Sequence, residues 1–221
     1  MNDIIKEGLI AIIRGVPQNQ ILPVTEAMYE GGVRIIEVAF NASDGDTVAK
    51  TTQAISTISA ALGDVLTVGA GTVLTTSYVE AAYQAGAKFI FSPNTNEKVI
   101  RLTKQLGLIS IPGAYTPTEM AAAYDFGADI IKLFPITRDE IGYVRNITRP
   151  LSHIPFICVG GTSLETIEDF FLAGALGVGT GLSILKPEYV ETGNYEGIKE
   201  LAKLHVEKVR ECQKRRSNIS M

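Results

Sequence analysis

Asp129-Ile130-Ile131-Lys132-Leu133-Phe134-Pro135 sets one lysine in the middle of a short apolar run that stops at a proline. A run of this length, closed by a breaker, reads as a strand buried on both faces. A buried ammonium is costly unless it is paired, and it is readily neutralised. A lysine that works as a nucleophilic amine needs such a place. A lysine that snorkels its amine to solvent from a strand end is the plainer alternative. The surrounding pattern bears on both the lysine and the fold.

Working outward, a helix over 118–126 precedes the run and stops at Gly127, and a weaker helical stretch over 139–151 follows it. The same unit recurs along the chain. Strands are expected at 9–13 (closing on Arg14-Gly15), 34–40, 66–70, 88–91 (breaking at Ser92-Pro93-Asn94), 108–111 (broken by Pro112-Gly113), 130–134, 155–159 and 176–178. Helices are expected at 19–30, 46–62, 77–85, 96–106, 118–126, 139–151, 164–172 and 195–214, with a short one near residues 1–8. The basic end, Lys214-Arg215-Arg216, is expected to be a frayed, solvated tail over about 214–221. Strand and helix alternating with short connections is the pattern of one α/β domain, a (β/α)₈ or TIM barrel spanning 1–221. A doubly wound sheet is the rival, but Arg14-Gly15 runs on into Val16-Pro17 without the glycine-rich fingerprint that such sheets carry after the first strand.

Bulk properties narrow the function. The 221 residues suit one domain with a large core, and 46% hydrophobic with 20% charged residues is a globular composition. A net charge of −4 argues against general nucleic-acid binding. Cys158 and Cys212, with His153 and His205, lack metal-ligand spacing, so neither a zinc site nor a disulfide framework is expected. No apolar run approaches a membrane span, the start shows no signal-peptide pattern, and the cytoplasm is the simplest expected location.

A weak internal repeat brings candidate residues together. Gly32, Gly86, Gly127 and Gly174 each end a helix before a strand, and five residues beyond them stand Glu37, Phe91, Lys132 and Gly179. Interior layers of such barrels take side chains from alternate strands. If the register holds, Glu37 and Lys132 share a layer from opposite walls, and Gly179 leaves room there for a ligand. An ion pair locking two walls is the structural alternative, although buried pairs seldom add much stability. As a site, the amine must lose its proton to attack a carbonyl, a fall in pKa of about three units or roughly 4 kcal/mol. Burial favours that fall and an ionised Glu37 opposes it, so a neighbouring cation such as Arg14, or a protonated Glu37, is required. The amine can then form a Schiff base with a keto substrate while Glu37 moves protons. Two glycine loops, Val159-Gly160-Gly161-Thr162 and Gly179-Thr180-Gly181-Leu182-Ser183, are expected either to bind an anion through backbone N–H groups or to be tight turns. Gly69-Ala70-Gly71-Thr72 is a third turn, and Thr72 offers a hydroxyl to a substrate carboxylate or carbonyl.

At this point the chain resembles a known family. Ile35-Ile36-Glu37-Val38, Val68-Gly69-Ala70-Gly71-Thr72-Val73-Leu74, Phe91-Ser92-Pro93, Ile111-Pro112-Gly113, Ile131-Lys132-Leu133-Phe134-Pro135 and Val159-Gly160-Gly161 are similar to stretches of the 2-keto-3-deoxy-6-phosphogluconate and 4-hydroxy-2-oxoglutarate aldolases, the class I pyruvate aldolases. The resemblance implies a homotrimer of TIM barrels that splits a sugar-acid phosphate into pyruvate and an aldehyde such as glyceraldehyde 3-phosphate, with no metal and no cofactor. It implies Lys132 as the Schiff-base lysine and Glu37 as acid and base. Thr72, Pro93 and Phe134 would line the pyruvate pocket, and Gly160, Gly161 and the loop holding Gly181 and Ser183 would take the phosphate. Many members carry an arginine four residues after the glutamate, where this chain has Asn41, and Arg14 is expected to replace it at the substrate carboxylate. Arg14 with Asn41, and Pro93-Asn94, are similar to the 2-keto-3-deoxy-6-phosphogalactonate aldolases of the family. An isomerase or synthase resembling thiamine-phosphate synthase, with an electrostatic lysine, and a non-catalytic sugar-phosphate-binding barrel are the alternative readings.

Overall fold

The computed structural model describes residues 1–219. Its strands are β1 Leu9–Ile13, β2 Ile35–Ala39, β3 Thr67–Gly71, β4 Phe89–Phe91, β5 Ile109–Ile111, β6 Gly113–Ala114, β7 Ile131–Ile136, β8 Phe156–Gly160 and β9 Val178–Thr180. Its helices are α1 Asn2–Glu7, α2 Ile21–Glu30, α3 Thr47–Leu62, α4 Thr76–Gln84, α5 Glu97–Gln105, α6 Pro117–Asp125, α7 Ile141–Thr148, α8 Ile167–Leu172, α9 Pro187–Thr192 and α10 Tyr195–Ile219. All strand pairs are parallel, in the order β5-β4-β3-β2-β1-β9-β8-β7-β6. β5 and β6 are the two halves of the fifth barrel strand. Pro112 has no N–H to keep the ladder continuous, so the first half pairs with β4 and the second with β7. Lys132 N–H donates to the Pro112 carbonyl at 2.9 Å, which carries the wall across the break. The expected barrel is therefore present, nearly closed, with helices outside.

Strand alternation sorts the core into two clusters. Ile10, Ile35, Phe89, Phe91, Ile111, Ile130, Ile157 and Val159 pack together inside the barrel, joined by Ile4 of α1 at its base. Leu9, Ala11, Ile13, Ile36, Val38, Ile90, Ile131, Leu133 and Cys158 face the helices. Lys132 lies between Ile131 and Leu133, so it must point inward with Ile130.

The repeated glycines have a common geometry. Gly32, Gly86, Gly127 and Gly174 adopt φ of 98° to 103°. In each case the glycine N–H donates to the carbonyl three residues back, and the next N–H to the carbonyl five back, as in Ala128 N–H to the Ala123 carbonyl at 3.0 Å. This is the Schellman closure, which satisfies the last carbonyls of a helix and needs a residue without Cβ. It aims each following strand in the same way, and this equal aim is the source of the equal five-residue offset.

Three details depart from expectation. The last strand is Val178–Thr180 rather than 176–178, although Leu176 N–H already donates to the Phe156 carbonyl at 2.9 Å. α9 is an added helix, entered at Pro187 and closed by Gly193 at φ 65°. The basic end, expected as a tail, continues α10 as far as Ile219. Arg215 pairs with Glu168 and Glu211, and Arg216 Nη1 donates to the Ala175 carbonyl at 3.1 Å. The last two residues of that expected tail lie outside the described residues. Among the described residues, no helix is long and apolar enough to cross a membrane.

Candidate active site

A cavity of about 530 Å³ opens at the C-terminal ends of the strands. Its charged groups come from three strands: Arg14 just past β1, Glu37 in the middle of β2 and Lys132 near the start of β7. Glu37 and Lys132 are 2% and 7% exposed. The expected layer is present. Lys132 Nζ lies 4.2 Å from the centroid of the Phe91 ring, and a Cβ on Gly179 would come within 3.6 Å of that ring. A second ring, Phe134, lies 4.4 Å from Nζ.

Glycine makes the space for the carboxylate. Gly71 ends β3 beside β2, and a Cβ there would fall 0.9 Å from Glu37 Oε1. Glu37 Oε2 is buried with no hydrogen-bond partner, and no ion pair within 4 Å joins it to Lys132. The wall pair is thus not the locking salt bridge of the structural alternative. Arg14 Nη2 donates to Thr72 Oγ1 at 2.5 Å, which fixes the guanidinium at the cavity. Thr72 holds a left-handed φ of 56°, an uncommon conformation for a β-branched residue, and such positions concentrate at functional sites.

These placements set the charges. Burial lowers the Lys132 pKa to about 8; the Glu37 carboxylate opposes the fall and Arg14 assists it. Burial raises the Glu37 pKa to about 7, against the pull of Lys132 and then of Arg14. Between these two values the ammonium and carboxylate predominate, and a neutral amine beside a protonated acid, the form that carbonyl attack requires, is the minor tautomer of the pair.

The far wall comes from the loops after β8 and β9. Gly160, Thr162, Gly179, Thr180, Gly181, Leu182 and Ser183 line it. The Gly181 carbonyl accepts from the N–H groups of Ile184 and Leu185, so the second loop curls as a helical turn. The hydroxyls of Thr180 and Ser183 both donate to the Thr162 carbonyl, bracing one loop on the other. Among the described residues, no group of three or more His, Cys, Asp or Glu side chains is placed to hold a metal ion.

The cavity gathers Arg14, Glu37, Thr72, Pro93, Lys132, Phe134, Gly160, Gly181 and Ser183 of the residues expected from sequence. Asn41 and Gly161 are not on its lining. Asn41 accepts from Ser43 N–H through Oδ1, donates its own N–H to Thr47 Oγ1, and lines a neighbouring cleft of about 470 Å³ that shares Arg14. Gly161 donates its N–H to the Ile136 carbonyl at 2.8 Å and has none left for an anion. Thr162 and Thr180 line the cavity without having been singled out. Each stands beside a loop glycine, but nothing in sequence shows which side chain turns inward.

The family model for KDPG and KHG aldolase matches residues 1–201. The 2-dehydro-3-deoxy-6-phosphogalactonate aldolase of Escherichia coli K12 is 32% identical over 82% of this chain and 86% of its own length. The KHG/KDPG aldolase of the same organism is 30% identical over 84% of each chain. A solved structure described as native KDPGal superposes with a TM-score of 0.83 at 30% identity, covering 93% of this chain and 96% of that one. A barrel with a buried lysine, a carboxylate over glycine and this breadth of similarity leads to one conclusion: the chain belongs to the KDPG and KHG aldolase family.

Proposed function

We propose that this aldolase cleaves a 2-keto-3-deoxy-6-phospho sugar acid through a Schiff base on Lys132, releasing pyruvate and a phosphorylated aldehyde. The observation that carries the reading is the Lys132 amine, buried without an acidic partner within 4 Å and lowered to a pKa of about 8, on the wall of a cavity it shares with Glu37.

The neutral amine attacks the C2 carbonyl, forming a C–N bond as the carbonyl pair moves to oxygen, and a proton then passes from the nitrogen to that oxygen to give a carbinolamine hydroxyl. Protonated Glu37 gives a proton to the resulting hydroxyl, water leaves, and an iminium cation remains. Glu37, now a carboxylate, removes the C4 hydroxyl proton directly or through water. The C3–C4 pair flows into the iminium to give an enamine, and the aldehyde departs. Proton return to C3 and hydrolysis free pyruvate and the amine. Arg14, held by Thr72, is suited to the C1 carboxylate, since guanidinium and carboxylate match as a two-point contact. Pro93 and Phe134 flank the keto end. The loops after β8 and β9, whose strands lie between those of Lys132 and Arg14, are suited to the phosphate through backbone N–H groups other than that of Gly161.

The relatives' names support both C4 configurations. We favour the galactonate-type substrate, because Arg14 with Asn41, and Pro93-Asn94, are the residues that resemble that branch. Assembly as a trimer in the cytoplasm is part of the same reading, and light scattering on the purified protein checks the trimer.

The test is mass spectrometry after mixing the protein with pyruvate and sodium borohydride. A reduced pyruvate adduct mapped to Lys132 is expected, and the two C4 epimers then decide the substrate by kcat/KM. Pyruvate binding with no adduct on Lys132 overturns the covalent mechanism.

A further inference from the structure

The amine lies between two aromatic faces, and only one of them belongs to the substrate cavity. Phe134 lines the cavity. Phe91 does not: it is fully buried in the barrel's interior cluster, with its ring centroid 4.2 Å from Lys132 Nζ. A ring carries negative potential on its face and attracts a cation there, more strongly when both are dry. An apolar contact alone would be met as well by isoleucine, the commonest residue of this interior. Gly179 stands beside the ring, where a Cβ would crowd Val159 at 2.9 Å and meet the Phe91 ring at an ordinary contact distance of 3.6 Å.

We infer that Phe91 is a positioning residue of the reaction, whose buried ring face stabilises positive charge on the Lys132 nitrogen and so favours the iminium over the neutral amine. The inference rests on the Schiff-base reading above and adds to it. Its charge balance gives it a distinctive pH signature. Neutral amine, ketone and one proton give iminium and water, so a cation is created on nitrogen and the ring assists. Ammonium and ketone give iminium and water with one positive charge on each side, so the ring's effect cancels. The other charged groups facing the nitrogen are Glu37 from β2 and Arg14 beyond β1, and both are left in place by a change at Phe91.

The experiment replaces Phe91 with mono-, di- and trifluorophenylalanine, which keep the ring's shape and progressively drain its face. Pyruvate affinity is measured by borohydride trapping at about one pH unit above and one below the amine's pKa. Above it, affinity should fall stepwise along the series, by about 3- to 10-fold in total. Below it, affinity should stay constant, and the amine's midpoint should move to lower pH by several tenths of a unit. A flat series at both pH values, with the parent protein still trapped on Lys132, overturns the role of Phe91 alone. No adduct even with the parent protein overturns the Schiff base and this inference together. Phe91→Leu, if it folds, should match or exceed the trifluoro variant.

Discussion

Lys132 and Glu37 are two ordinary residues whose chemistry is made by burial. Isolated, the amine would hold its proton and the acid would lose its own. Between the barrel walls each is driven toward its neutral form. Lys132→Met should remove both turnover and the pyruvate adduct; substantial remaining activity in the variant would sink the mechanism. Below about pH 7 both groups hold protons and the amine is not a nucleophile, whereas above about pH 8 both have lost them and the acid is missing. The productive form, with one proton on Glu37, is most populated between these two values, so kcat/KM should be bell-shaped with apparent limits belonging to the pair. Glu37→Gln should flatten the profile and slow turnover by about 10²-fold or more. Arg14 meets Thr72 and the cavity but not the reacting carbon, so Arg14→Ala should act mainly on KM, raising it by about 10-fold or more with a smaller change in kcat. An unchanged KM would assign the carboxylate to another group.

At the scale of elements, the helix-ending glycines aim the strands. Gly127 closes α6 at φ 103° and precedes β7, and a Cβ there would meet only Lys104 Cγ at 3.7 Å. Space is therefore not the obstacle to a side chain, and backbone strain is. Gly127→Ala should cost about 1–2 kcal/mol of stability in denaturant titration, while kcat of the folded fraction stays near that of the parent. A large loss of kcat at full folding would show that the strand's aim, and with it the lysine's position, depends on this turn more closely than its hydrogen bonds require. α6 is also fixed at its start, where Thr116 and Glu119 form a reciprocal cap, and Pro117 opens the first turn. Gly127 made the end of this helix and the lysine strand after it plain in sequence, whereas its capped start was not singled out there. The fifth strand was less plain. Pro112 was visible as a breaker, but only the partners of its two halves show that the break carries the wall from β4 to β7.

Across the whole molecule, α10 lies over α2 and α8 and ties the end of the chain to its beginning. Its His205 is 1% exposed, with Nδ1 2.7 Å from the Leu201 carbonyl and Nε2 without a partner. The carbonyl accepts, so Nδ1 carries the proton and Nε2 is bare. Burial lowers the pKa of this histidine below 6.5; its Leu201 hydrogen bond and the Glu165 charge oppose the shift. A group lowered on folding contributes stability above its unfolded pKa and loses it as pH falls. Between pH 7.5 and pH 5.5 His205 should thus subtract from stability, while Glu37, raised to about 7 in the fold, adds to it as it takes up its proton. The denaturation midpoint of His205→Leu should therefore rise relative to that of the parent as pH falls across this window, and a constant difference between the two would assign His205 no part in the pH dependence. By itself the sequence determined the alternation of strand and helix, the glycine that ends each unit and the inward direction of Lys132, because these follow from periods of two and 3.6 and from one missing Cβ. The tertiary structure alone decided which polar groups are taken: Asn41 Oδ1 accepts within its own loop, the Gly161 N–H goes to the Ile136 carbonyl, and Glu37 Oε2 has no partner. It also decided the charge of the pair, since desolvation depends on every wall around a group and no local stretch encodes that enclosure.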